Sequence, residues 1–205
     1  MFYNVPARKE FIKSTSTESS YISQIFLNYA LVHYDKSRKL LVNNKVKWQV
    51  APAASLMERI QDLFKTEWHE HLNPVAYKDE QLELFGVVSD AALHFSGTQY
   101  LYLFVNQRPV QDRLVKKAVI DAYYKQLAPG TYPFVVLFID IDPSKVDVNV
   151  HPRKSEVKFL DPGSMFSLIK ETIQKSTGEN KVNYAAFTQS PIQQKQFSSG
   201  HGYNA

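Results

Sequence analysis

The 205-residue chain has no cysteine, which excludes a disulfide scaffold, a thiol nucleophile and cysteine-ligated zinc. Glycine is scarce, at 7 residues, so a glycine-rich loop cradling nucleotide phosphates is not expected within these residues. No apolar run approaches the roughly 20 residues that cross a bilayer, and no signal-peptide core stands at the N-terminus. With 44% hydrophobic and 21% charged residues, the composition is that of a soluble globular chain. A cytoplasmic protein without a membrane partner is the expectation. Aromatics are abundant: 12 Tyr and 13 Phe favour a sizeable core over a disordered chain. The net charge of +4 names no partner by itself; its placement decides more than its sum.

The opening Met1-Phe2-Tyr3-Asn4-Val5-Pro6 starts in an apolar run, as though cut from a longer chain. Thr15 and Glu18 have capping-box spacing, and Tyr21, Ile22, Ile25, Phe26 and Tyr29 recur at helical spacing, which predicts a helix from about Thr15 to Val32. Leu40-Leu41-Val42, Asn43-Asn44 and then Val46, Trp48 and Val50 read as a hairpin with a positive-φ turn. Ser55 and Glu58 cap a second helix with Leu56, Ile60, Leu63 and Phe64 on its apolar face. The stretch Glu67 to Lys78 has no clear period and marks the best internal boundary.

Strands are predicted over Leu82 to Val88 and Tyr100 to Val105, separated by a loop through Ser96-Gly97-Thr98. Asn106 to Gln111 reads as a polar turn. Asp112 to Gln126 reads as a helix burying Leu114, Ala118, Val119 and Ala122, stopped by Pro129-Gly130. Phe134 to Ile141 is a continuous apolar run fitting a buried strand. Val146, Val148 and Val150 alternate with polar residues, and a helix from Ser164 to about Ser176 buries Phe166, Ile169 and Ile173. Beyond Gly178, and above all over Thr188 to Ala205, the Gln-, Ser- and Gly-rich sequence reads as a disordered tail. The mixture of helices and strands gives an α/β class.

Two basic clusters stand out. Arg108, Arg113, Lys116 and Lys117 oppose Asp112 alone, a local charge of +3 on a strand–turn–helix junction. Such a junction either meets phosphates with guanidinium forks and helix-start N–H groups, or is simply a solvated helix end with an Asp–Arg pair. His151 to Lys158 carries +2, with Lys154 on a turn after Pro152. A lysine there either addresses a terminal phosphate or faces solvent. His69 and His71 lack a third metal ligand nearby. Asp140, Asp142 and Asp147 read as turn chemistry around a buried strand rather than as a magnesium site. No Ser–His–Asp arrangement, Walker A loop or acid/base carboxylate pair is present.

Val105-Asn106-Gln107-Arg108-Pro109-Val110-Gln111-Asp112-Arg113-Leu114 closely resembles a motif of the MutL family of DNA mismatch repair proteins. Val146-Asp147-Val148-Asn149-Val150-His151-Pro152-Arg153-Lys154 resembles a second motif of that family, and Phe2-Tyr3-Asn4-Val5-Pro6-Ala7-Arg8 a third. The resemblance runs in order over residues 1–176. It implies that residues 1–70 are the C-terminal part of a GHKL-type ATPase domain, an α/β sandwich. Residues 75–176 would be a transducer domain, an α+β two-layer fold resembling ribosomal protein S5 domain 2, and residues 177–205 a linker.

The family's nucleotide motifs would lie upstream of these residues, so ATP and Mg2+ are implied for the intact protein and not for this stretch alone. Lys154 falls on the family's γ-phosphate-sensing lysine. Arg108 and Arg113, with Lys116 and Lys117 beside them, fall at its DNA-holding groove, where Gln107 and Gln111 replace a common Gly and a frequent Arg. The implied partners are double-stranded DNA, MutS, a downstream nuclease or helicase, and a second copy in a homodimer. A stand-alone basic DNA-binding module without ATPase activity is the other reading of the same residues.

Overall fold

The helix–hairpin–helix opening and the strand–helix–strand middle are both present in a computed structural model, which describes residues 15–64, 66–147 and 156–178. Helix α1 (Thr15–Val32) leads into strands β1 (Arg38–Val42) and β2 (Lys45–Val50). Asn43 and Asn44 make the turn at φ 51° and 59°, a mirror-type turn whose twist suits a two-residue hairpin. Helix α2 (Leu56–Leu63) begins at Ser55, whose hydroxyl accepts from the Glu58 N–H. The Glu58 carboxylate accepts in return from the Ala54 N–H at 2.6 Å.

The stretch read as aperiodic holds a strand. Thr66–His71 form a 3-10 turn and Leu72–Lys78 form β3. Asn73-Pro74 conceals the strand from a periodicity reading. Pro74 is tolerated because β3 lies at the edge of its sheet. The remaining strands are β4 (Leu82–Ser89), β5 (His94–Phe95), β6 (Leu101–Val105), β7 (Arg108–Pro109), β8 (Tyr132–Pro133), β9 (Val135–Ile141), β10 (Val146–Asp147) and β11 (Lys158–Phe159). Helices α3 (Arg113–Ala122) and α4 (Pro162–Thr177) complete the set. The main sheet has the order β3-β4-β9-β6-β7. β9 runs antiparallel to β4 and parallel to β6, so α3 lies on the crossover between two parallel strands. At the crossing of β4 and β9 a side chain at Gly86 would overlap the Val136 carbonyl, so only glycine lets the two strands pair there.

Alternation sends each strand's residues to two cores. Leu84, Val88, Leu103, Val105, Leu137 and Ile139 meet α3 and α4 on one face. Val87, Tyr102, Phe104, Phe134, Val136 and Phe138 meet α1, α2 and the hairpin on the other. On that second face Phe138 stacks between Phe85 at 4.9 Å and Phe104 at 4.6 Å, one ring from each of three neighbouring strands. The two segments on either side of the boundary thus share one apolar core.

Three local expectations need correction. Helix α3 ends at Ala122, not near Gln126. The Tyr123 hydroxyl donates to the Ser89 carbonyl at 2.6 Å, and Lys125 turns the chain at φ 69°. Burial pushes the Tyr123 phenol well above its ordinary pKa. Leu114 is only partly buried and Val115 takes its place in the core. Of the helically spaced set on α1 only Phe26 is buried, with Ala30 and Leu31 beside it, while Tyr21, Ile22, Ile25 and Tyr29 are 51%, 45%, 55% and 56% exposed.

Arg59 is the largest surprise. It is 0% exposed, and its Nη2 donates to the carbonyls of Tyr34 at 2.6 Å, Lys36 at 3.0 Å and Ala51 at 2.6 Å. A single guanidinium therefore ties the end of α1 and the end of β2 to α2. Asp62 stands 3.5 Å from Nη1 and offsets part of the cost of burying the charge.

Candidate nucleic-acid interface

Four basic side chains were expected on the β7–α3 junction, and the structure divides them. Arg108 is exposed on β7, which pairs with β6 through Val105. The turn that presents it is fixed to the sheet. Asn106 donates its N–H to the Ile139 carbonyl at 2.9 Å, and its Oδ1 accepts from the Ile141 N–H at 2.8 Å. Asn106 and Gln107 both sit in the left-handed region, at φ 46° and 64°. For a residue with a Cβ this costs roughly 1–2 kcal/mol. Gln107→Gly is therefore expected to raise stability by about 0.5–1 kcal/mol in urea unfolding. An unchanged midpoint would show that the turn carries no such strain.

Arg113 is the first residue of α3 and is exposed. Two of the helix-start N–H groups expected to help hold a phosphate are already taken: buried Asp112 accepts from those of Leu114 at 2.9 Å and Val115 at 3.0 Å. An anion would be met chiefly by side chains. Lys116 reaches away from α4 and donates to the Thr98 hydroxyl at 3.2 Å. Lys117 turns the other way, pairs with Asp121 at 2.6 Å and lies over the Phe166 ring at 5.2 Å. Beside Lys116 an open cleft of about 370 Å³ is lined by Gln24, Thr98, Gln99, Leu101 and Gln111. Its walls come from α1, the loop before β6 and the residue before Asp112. No local sequence pattern could have signalled that assembly.

Lys154 lies outside the described residues, but both of its flanks are placed. β10 and β11 pair through Val146–Phe159 and Asp147–Lys158, and the Leu160 N–H donates to the Lys145 carbonyl at 2.9 Å. Asp142 does perform turn chemistry: it accepts from the Ser144 N–H, which with the Ser144 hydroxyl holds its carboxyl below the usual range. Burial, with Glu83 adding to it, raises that of Asp140. His71, at the end of the 3-10 turn, pairs with Asp90 at 3.1 Å.

Among the described residues no three His, Asp or Glu side chains gather as a metal site. The starts of α2, α3 and α4 are capped by Ser55, Asp112 and Asp161.

Residues 60–178 match the family model described as DNA mismatch repair protein, C-terminal domain. The chain is 34% identical over 174 residues to the DNA mismatch repair protein MutL of Syntrophobacter fumaroxidans, an alignment covering 85% of this chain and 26% of that protein. The chain belongs to the MutL family of DNA mismatch repair proteins. MutL of Clostridium botulinum is likewise 34% identical, over 188 residues that make up 91% of this chain and 28% of the relative. The chain spans about a quarter of the length of these relatives.

Among solved structures, the N-terminal domain of a DNA repair protein superposes with TM-score 0.71 at 19% identity, covering 86% of this chain and 59% of that one. The Aquifex aeolicus MutL ATPase domain complexed with ADP gives 0.59 at 21% identity, covering 85% and 55%. These two likenesses establish the mixed α/β fold.

Proposed function

We propose that this chain is the DNA-holding and phosphate-sensing part of a MutL-type mismatch repair protein. The observation that carries the reading is the exposure of Arg108 and Arg113, with Lys116 nearby, at one end of a sheet-anchored strand–turn–helix junction. In the intact protein ATP and Mg2+ would be bound mostly by residues ahead of these. Lys154 would address the terminal phosphate, and two copies would dimerise. DNA would be held through its phosphates, and the mismatch signal would pass from MutS to a downstream nuclease or helicase. Alone, the chain would act as a basic binding module without ATPase activity. Lys117 would contribute least to DNA, since a phosphate must compete there with Asp121.

Binding of a short duplex, read by fluorescence anisotropy, tests the DNA-holding role. Three phosphate contacts predict a log–log salt slope of about −2.7, or about a 40-fold loss of affinity between 50 and 200 mM salt. Replacing Arg108 and Arg113 with alanine together should reduce that slope by about 2 and weaken binding about 60-fold at 0.1 M salt. Affinity insensitive to salt, or lost only on removing Thr188–Ala205, would rule out this assignment.

A further inference from the structure

The cleft beside Lys116 is lined by side chains that charge-based DNA holding does not use. Three of its five lining residues are glutamines, Gln24, Gln99 and Gln111, and the other two are Thr98 and Leu101. None of the five carries a charge. Amides alone serve a phosphate or a metal ion poorly. They serve a neutral group well, because each carboxamide offers two N–H donors and an accepting oxygen. Cations stand at the rim: the Lys116 ammonium donates to the Thr98 hydroxyl at 3.2 Å, and exposed Arg113 follows Gln111 by two residues. The amides are also positioned and uncommitted. Gln24 donates to the Asn28 carboxamide oxygen at 3.3 Å, one turn along α1. The Gln99 carboxamide lies over Gly97, where a side chain would overlap its oxygen. Among the described residues no partner is found for the carboxamide of Gln99 or of Gln111.

Resting on the DNA-holding reading above, we propose that this cleft receives one unstacked nucleobase of the DNA whose phosphates lie along the Arg108–Lys117 junction. A nucleobase is neutral, presents donors and acceptors along its edge, and is attached to an anion. That pattern matches amides inside the cleft and cations at its rim. Glutamine pairs with such an edge through both ends of its carboxamide, and Leu101 gives the cleft an apolar wall. A peptide segment would use the same amides but brings no phosphate to Lys116 and Arg113. The concave shape favours a base turned out of the stack over one inside a duplex, whose edges lie at the floor of a groove. DNA with an unpaired nucleotide is thus held by more than its charge.

Fluorescence anisotropy tests this with two short single strands that have the same number of phosphates, one carrying bases and one abasic throughout. The base-bearing strand is expected to bind this chain about 10-fold tighter at 0.1 M salt. Gln99→Ala together with Gln111→Ala should bring the two strands within about 2-fold of each other. The affinity for the abasic strand and the salt slope of both should stay unchanged, which also shows that the variant is folded. Gly97→Ala removes no group from the cleft but displaces the Gln99 amide, and should cost about 3-fold on the base-bearing strand alone.

Equal affinity of the unaltered chain for the two strands overturns the inference. A loss on both strands alike in the glutamine variant does so too, because the amides would then meet sugar or phosphate. So does a base preference that survives the variant, which places the base elsewhere and leaves the cleft to a protein segment. The salt slope shared by both strands reports the phosphate contacts, and the ratio of their affinities reports the cleft. A slope insensitive to replacing Arg108 and Arg113 with alanine, with the ratio intact, sinks the DNA-holding junction and leaves the base cleft standing. A steep slope with no difference between the strands does the reverse.

Discussion

Arg59→Ala is expected to destabilise the protein by about 3–5 kcal/mol, because buried carbonyls left without their donor cost about 1–3 kcal/mol each. The loss is large because the two N–H bonds of Nη2 are shared among three carbonyls, those of Tyr34, Lys36 and Ala51. The Tyr34 carbonyl keeps a second donor in the Ala53 N–H at 2.8 Å, whereas the carbonyls of Lys36 and Ala51 depend on Arg59 among the described residues. Arg59→Met keeps the length of the aliphatic stem but leaves the same carbonyls short of donors, so it should be nearly as damaging. Urea unfolding followed by Trp48 and Trp68, both packed in the core shared by α1, α2 and the sheet, reads the effect. A loss below about 1 kcal/mol would mean that water replaces the guanidinium at these carbonyls.

Lys154→Ala in a full-length family protein carrying this segment is expected to slow ATP hydrolysis by about 100-fold, or about 2.7 kcal/mol. The expectation follows from charge and from the role proposed for Lys154 toward the terminal phosphate. A cation that meets charge developing in the reaction lowers its barrier more than it tightens binding. The fall should therefore lie mainly in kcat. Lys154→Arg keeps the charge but not the compact geometry, and should give an intermediate rate. DNA binding through Arg108 and Arg113 should be unchanged. Normal hydrolysis in Lys154→Ala would remove the lysine from the phosphate-sensing role.

Most elements were legible because their signals are local. Asn43-Asn44 announces a positive-φ hairpin turn, Ser55 with Glu58 announces a helix start, and the apolar run to Ile141 announces a central strand. β3 was hidden because edge strands tolerate the proline that periodicity treats as a break. Arg59 was hidden because its role depends on three carbonyls from segments 8 to 25 residues away. The exposure of Ile25 and Tyr29 was hidden for a related reason: α1 is apolar on more than one side, and sequence does not say which side finds the sheet. At the candidate interface the residue types of Arg108 and Arg113 were readable. The Asp112 cap and the Lys117–Asp121 pair are local contacts within one helix turn, whereas the approach of Lys117 to Phe166 depends on where α4 lies.

The strand order also governs how this chain can fold. β9 joins the β3–β4 pair to the β6–β7 pair, and its partners on β4 lie about fifty residues earlier in the chain. Until residues 135–141 are made and inserted, the sheet exists as two hairpins with open inner edges and nothing between Phe85 and Phe104. Contacts this distant form slowly, because the intervening loop must close before they contribute. During synthesis Phe104 and the strands around it must therefore wait, exposed, for a strand that leaves the ribosome later. The interval is the chain's period of greatest risk of aggregation.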